Sequence, residues 1–313
     1  MKQESGFCMK LLIDVNDKYQ PDPFIFEDGD KLYIYVSGAE GVGLYSADDL
    51  FGVWHYEGIV TDYPGHFEFW APSVIKVDGK YYMYTSTSTE EEFEFMRVAS
   101  SDSPLGPFTN WKTLYQRFSI DSHVVKTDAG LFIWYAEDNV NCDRVGTRIF
   151  VDRLIDPVTV ANTPKEMIVP TMDEEIFMCN RFGDGKDWHT IEGPFWFKEG
   201  DWQYVMYSGG CYQNDTYHIG YAAVKSDEAD HLKLDLIKNT ENGGFAPVII
   251  KNDYEEGTGH HSVIKYKGDY YAIYHGREYG AIDGEYSEQR TARVCRLHVK
   301  DGKITAERYA DKV

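Results

Sequence analysis

Nowhere in the 313 residues is there a run of 18 apolar side chains, the length at which a segment begins to read as a membrane-spanning helix. The first residues, Met1-Lys2-Gln3-Glu4-Ser5-Gly6, lack the apolar stretch of a secretory leader. Five cysteines, Cys8, Cys142, Cys179, Cys211 and Cys295, are odd in number and have no CxxC spacing, which argues against a disulfide framework and against a zinc knuckle. These absences lead us to expect a soluble, cytoplasmic protein without a membrane partner. Positive charge is scarce as well. Lys and Arg number 31 against 52 Asp and Glu, a net charge of −21, so nucleic acid is not an expected partner either. Runs such as Glu90-Glu91-Glu92 and Asp173-Glu174-Glu175 read as solvated loops. No HxH or HExxH spacing supports a catalytic transition metal, and Gly41-Val42-Gly43 opens no phosphate-binding helix. No long segment has an apolar period of 3.6 residues, and no Pro-rich or Gly/Ser-rich linker divides the chain.

What the chain has in quantity is aromatic side chains, 15% of residues with 24 Tyr, 17 Phe and 7 Trp, and these favour strands. They fall in a recurring unit of strand, tight turn and aromatic second strand. The units run near residues 21–37, 71–86, 120–135, 191–208 and 259–274, and their turn glycines Gly29, Gly79, Gly130, Gly200 and Gly268 are separated by 50, 51, 70 and 68 residues. Further short strands lie between them, and Arg293-Val294-Cys295 to Ala306-Glu307 forms one more hairpin. About four strands per repeat is the content of a propeller blade. The expectation is therefore an all-β, five-bladed β-propeller forming a single domain over residues 1–313.

The first strand of each propeller blade lines the central channel, so equivalent positions in distant repeats converge. Seven residues before the turn glycines stand Asp22, Pro72, His123, Gly193 and His261, with Asp121 and Glu192 close beside. Carboxylates gathered from distant repeats repel one another and lose hydration, so packing alone seldom retains them. Glycoside hydrolysis uses such a set: one protonated acid, one ionised base. Taken singly, each residue has a plainer reading. Asp22 before Pro23 can be a turn residue, Asp121 a cap, Glu192 a loop acid, Arg277 a surface partner of Glu278, and a strand histidine such as His260 or His261 a hydrogen-bonded core group.

The sequence resembles glycoside hydrolase family 43, a family of five-bladed propellers that includes β-xylosidases, α-L-arabinofuranosidases and arabinanases. The resemblance is carried by Asp22-Pro23-Phe24-Ile25-Phe26, Trp70-Ala71-Pro72-Ser73-Val74, Ile120-Asp121 and Ile191-Glu192-Gly193-Pro194. It continues through Gly257-Thr258-Gly259-His260-His261-Ser262-Val263 and Tyr274-His275-Gly276-Arg277. Ser122-His123 after Asp121 departs from the pattern. The resemblance implies an inverting exo-glycosidase that releases L-arabinofuranose from short oligosaccharides. Asp22 would be the general base, Glu192 the general acid, and Asp121 the group that tunes and orients the acid. It also implies substrate contacts from Trp70, Arg277, His261 and Phe24, and a calcium ion or a water at the propeller axis beside His261, with no cofactor required for the chemistry. A β-xylosidase of the same family and a non-catalytic sugar-binding propeller are the alternatives, and a purely structural interaction propeller is a third.

Overall fold

The computed structural model describes residues 12–13, 19–282 and 287–308, so Cys8 and the first residues lie outside the described part. The chain is a five-bladed β-propeller, as its repeats predict. The first blade comprises β1 (Phe24–Asp28), β2 (Lys31–Val36), β3 (Gly43–Ala47) and β4 (His55–Ile59). The second comprises β5 (Phe67–Val77), β6 (Lys80–Ser88), β7 (Phe95–Ser101) and β8 (Thr109–Phe118). The third has β9 (Ile120–Thr127), β10 (Gly130–Asn139) and β11 (Gly146–Asp156), edged by short β12 (Thr159–Val160) and β13 (Lys165–Ile168). The fourth has β14 (Ile176–Met178), β15 (Trp188–Glu199), β16 (Trp202–Gly209), β17 (His218–Lys225) and β18 (Ile237–Lys238). The fifth is β19 (Glu255–Tyr266), β20 (Asp269–Glu278), β21 (Thr291–Lys300) and β22 (Lys303–Glu307). A short parallel pairing of Gly146 and Thr147 with His189 and Thr190 joins the third and fourth blades.

The turns explain the hairpins. Asp78 and Gly79, and likewise Lys267 and Gly268, both have positive φ, the geometry that matches the twist of two antiparallel strands. In the third blade the turn is Asp128-Ala129, and Gly130 already opens β10, so this glycine stands one residue late relative to Gly79 and Gly268 and two relative to Gly29 and Gly200, which open their turns.

The second strand of each blade is buried on both faces, because each face meets a neighbouring blade. In β2, Leu32, Ile34 and Val36 pack toward the fifth blade with Ile264, Tyr271 and Ile273. Tyr33 and Tyr35 pack the other way, against Phe69, Val74, Tyr81 and Met83 of the second blade. The same division recurs between the second and third, third and fourth, and fourth and fifth blades. Burial of this kind is worth about 25 cal/mol per Å² of apolar surface. It makes the blades hold one another in place, the third and fourth being joined in addition by strand pairing.

The inner strands β1, β5, β9, β15 and β19 neighbour one another in a ring, with β19 returning to β1. Residues ahead of β1 close that ring. The Leu12 N–H donates to the Ala292 carbonyl at 2.9 Å and the Gln20 N–H to the Arg290 carbonyl at 2.8 Å. The Ala292 N–H in turn donates to Gln20 Oε1 at 2.9 Å, deep inside the protein. Cys142, Cys179, Cys211 and Cys295 are all free thiols.

Candidate active site

On each inner strand, or two residues ahead of it in the first blade, a residue near the axis lies in the left-handed region: Asp22 (φ 54°), Ala71 (φ 45°), Asp121 (φ 61°), Gly193 (φ 58°) and His260 (φ 47°). This conformation is costly for residues other than glycine, and tertiary structure must enforce it. Here neighbouring side chains capture the turned N–H groups. Ala71 donates to Ser37 Oγ at 2.7 Å, Gly193 to Asp121 Oδ2 at 3.1 Å, His260 to Ser208 Oγ at 2.7 Å and Asp22 to His275 Nδ1 at 3.1 Å. Strand pairing slips at these places, between Trp70 and Ser73, Glu192 and Phe195, and Gly259 and Ser262. Such bulges re-aim side chains. The result is a cavity of about 330 Å³ at one end of the axis, into which Asp22, Asp121, Glu192 and His260 all face.

The three carboxylates that the sequence singles out are thus brought together, in unlike surroundings. Asp22 is 8% exposed. Its Oδ2 accepts from Ser37 Oγ at 2.6 Å, and its Oδ1 lies 3.2 Å from Arg290 Nη1 and 3.3 Å from His260 Nδ1. Burial alone would raise its pKa, but His260, Arg290 and His275 beside it hold it well below the usual carboxylate range. Burial also pushes His275 down to about 4 and lowers His260, so both rings are neutral near pH 7. Arg290 is then the standing positive charge that keeps Asp22 ionised. His275 Nδ1 lies 3.2 Å from Asp22 Oδ1 and 3.1 Å from the Asp22 backbone nitrogen, so the ring holds Asp22 by both its side chain and its backbone.

Glu192 has the opposite setting. Burial, with Asp22 adding to it, pushes its pKa up to about 7, against a hydrogen bond of 2.6 Å from the Tyr217 hydroxyl to Oε1 that favours the carboxylate. Asp121 is buried between Glu192 and Asp22, and desolvation followed by the charge of Glu192 raises it well above its ordinary value despite the Gly193 N–H. Donor atoms of Asp121, Glu192 and His260 lie within 4.8 Å of one another. The arrangement can hold a proton at Glu192 while leaving a negative charge at Asp22, the division of labour that acid–base hydrolysis requires.

The remaining expected contacts divide. Trp70 lines the cavity, its Nε1 donating to Glu68 at 3.0 Å. Phe24 does not border it. Phe24 lies below, against His123 and Phe195 with ring centroids 6.0 and 6.1 Å away. Arg277 is also elsewhere: its buried guanidinium donates from Nε to Glu256 at 3.0 Å and from Nη1 to the Tyr212 carbonyl at 2.7 Å. It therefore braces the Tyr212 wall from behind, and Arg290 is the arginine that faces the cavity. His261 sits on the axis with both ring nitrogens buried and without a partner among the described residues. Burial pushes it down to about 3, so the ring is neutral. The void beside it, about 20 Å³, has room for roughly one water. Calcium takes about six to eight oxygen ligands. A neutral imidazole, with Asp22 and Asp121 turned to Ser37, Arg290 and Gly193, does not furnish that shell but does suit a water.

Residues that the sequence reading did not single out complete the site. Arg290 and Glu288 come from the connection between β20 and β21, and Tyr212 and Tyr217 from that between β16 and β17. His260 rather than His261 holds the cavity position in the fifth blade. Ser122 and His123, the departure in the third blade, are internal supports: Ser122 Oγ meets Ser73 Oγ at 3.1 Å, and His123 Nδ1 accepts the Trp196 N–H at 2.9 Å.

A family model described as glycosyl hydrolases family 43 matches residues 15–304. The chain is 25% identical over 301 residues to an extracellular exo-α-(1→5)-L-arabinofuranosidase of Cellvibrio japonicus, covering 87% of this chain and 82% of that protein. It is 27% identical over 244 residues to an arabinan endo-1,5-α-L-arabinosidase A of Aspergillus niger, covering 71% of each. Among solved structures, a thermostable family-43 glycoside hydrolase superimposes with a TM-score of 0.80 at 25% identity, covering 98% of both chains.

Proposed function

The chain belongs to glycosyl hydrolase family 43 and is a glycoside hydrolase, and from that premise we propose that it is an inverting exo-enzyme that releases L-arabinofuranose from short oligosaccharides. The observation that carries the reading is the contrast between two carboxyls of one cavity: Asp22 held ionised beside Arg290, and Glu192 raised to about 7 by burial.

In this mechanism the terminal sugar enters the cavity with its anomeric carbon between Asp22 and Glu192. Asp22 takes a proton from a water as that water attacks. Glu192 gives its proton to the departing glycosidic oxygen as the bond from the anomeric carbon breaks, so the rest of the oligosaccharide leaves as an alcohol and not as an alkoxide. Asp121, tied to the Gly193 N–H next to Glu192, orients the acid, and because an ionised Glu192 raises Asp121 in turn, the two carboxyls do not both carry charge readily. Arg290 keeps Asp22 ionised before the water attacks, and Trp70 offers an apolar face to the sugar ring. The name of the Cellvibrio relative supports arabinofuranose and exo-action.

Asp22→Asn and Glu192→Gln each lower kcat on an aryl α-L-arabinofuranoside and on arabinotriose by at least about 10³-fold, with a folded protein by circular dichroism. Faster turnover of the aryl β-xyloside would move the substrate assignment to β-xylosidase. Release of long fragments from arabinan would make the enzyme endo-acting. Proton NMR of the first-formed product should give the inverted anomer, and the retained one would overturn the mechanism.

A further inference from the structure

The cavity does not end at Trp70. Phe93, in the connection between β6 and β7, is 62% exposed. Its ring is set edge-on to Trp70, with centroids 5.8 Å apart and planes at 88°. It also lies nearly parallel to Phe118, at 5.9 Å and 12°. Phe118 ends β8, and Ile120 and Asp121, which follow closely, line the cavity. The Glu94 carbonyl accepts the Ser119 N–H at 2.9 Å, fixing the Phe93 segment to the strand that carries Asp121.

A single exposed phenylalanine is ordinary. This one is continuous with the sugar-facing wall, is held in orientation by two further rings, and leaves its outer face to solvent. A flat apolar face of this kind suits the C–H face of a sugar ring. Its surroundings select further: Glu90, Glu91 and Glu92 precede it, and among the described residues Glu92 alone of the three forms an ion pair, with Arg97. A negatively charged sugar would meet like charge here, and a neutral one would not.

We propose that Phe93, backed by Phe118 and Trp70, is the platform on which the second sugar unit of a neutral pentose oligosaccharide rests while its terminal unit occupies the cavity. This rests on the glycosidase reading above, since only an exo-acting site leaves every further unit outside the cavity.

The test uses Glu192→Gln, which retains uncleaved ligand, and calorimetric titration with arabinotriose and with free arabinose. Adding Phe93→Ala weakens trisaccharide binding about fivefold, within the range of an aromatic contact, and lowers the ratio of trisaccharide to monosaccharide affinity by the same factor. Adding Phe93→Trp instead restores that ratio, which a merely structural role would not predict. Unchanged trisaccharide affinity in Phe93→Ala, or an equal loss for both ligands, overturns the platform. If Glu192→Gln with Phe93 intact binds neither arabinotriose nor xylotriose, the glycosidase reading itself fails, an outcome visible before Phe93 is touched.

Discussion

The Tyr217 hydroxyl is the one neighbour of Glu192 that favours its ionised form by a direct hydrogen bond, at 2.6 Å. The active form needs Glu192 protonated and Asp22 ionised, so kcat/KM should be flat below neutrality and fall as pH rises through about 7, while the acid limb lies below the usual carboxylate range. Tyr217→Phe removes a group that lowers the Glu192 pKa. The alkaline limb should therefore move to higher pH, by about one unit, in a kcat/KM profile on an aryl arabinofuranoside. A limb that moves downward, or not at all, would mean that another group sets it.

At the scale of the element, the position of Tyr217 is secured by an absence of side chain on β19. A Cβ on Gly259 would lie 2.1 Å from Tyr217 Cε1 and 2.3 Å from Cδ1. Gly259→Ala must drive the ring out of place. It should destabilise the protein by about 1–3 kcal/mol in urea unfolding and displace the alkaline limb in the same direction as Tyr217→Phe. Strand and turn patterning made the five hairpins legible: aromatic second strands at a recurrent interval admit few other architectures. Asp22, Asp121 and Glu192 were legible because each stands at the head of such a hairpin. The place of the glycine in each turn hid the rest. Counting back from it assumes one fixed place, but Gly29 and Gly200 open their turns, Gly79 and Gly268 come second, and Gly130 follows its turn, whereas the left-handed residue stands seven before the first turn residue in every blade. His260 and His261 exchange roles on that single step. Arg290, Tyr212 and Tyr217 had no periodic signal, because they lie on connections whose distance from the axis depends on how the ring closes. Arg277, four residues into the matching motif of the fifth blade from Tyr274, acts one layer behind the position that its motif implies.

For the whole molecule, acid groups gathered inside an already acidic chain set the response to pH. Glu94, fully buried, is pushed up to about 8 by desolvation, although Ser88 Oγ donates to its Oε1 at 2.7 Å. Glu192 is raised to about 7. Both have a folded pKa above the ordinary value of 4.5, so at these two groups the folded state binds more protons than the unfolded one between those limits. Below about 6.5 the buried histidines His66, His123, His218, His231, His261 and His275, all pushed down by burial, act the other way, so it is from about 7 to about 8 that stability must decrease as pH rises, each carboxyl contributing up to about 1.4 kcal/mol per pH unit. The net charge of −21 acts in the same direction. Thermal melts should give a higher Tm at pH 7 than at pH 8.5, and Glu94→Gln should reduce that difference. A Tm that rises across this range, or a slope untouched by Glu94→Gln, would contradict the assignment of a buried neutral carboxyl.

The five left-handed residues at the axis have a consequence for how such a scaffold changes its chemistry. Their backbone shape is imposed by the hydrogen bonds that receive their N–H groups and by the blades behind them, and not by their own side chains, which is why Asp, Ala, Asp, Gly and His can all occupy equivalent seats. Packing is carried by one set of residues and reactivity by another. A catalytic centre assembled from separable seats can be rewritten one blade at a time, and Ala71 and Gly193 are the two seats that carry no polar group of their own.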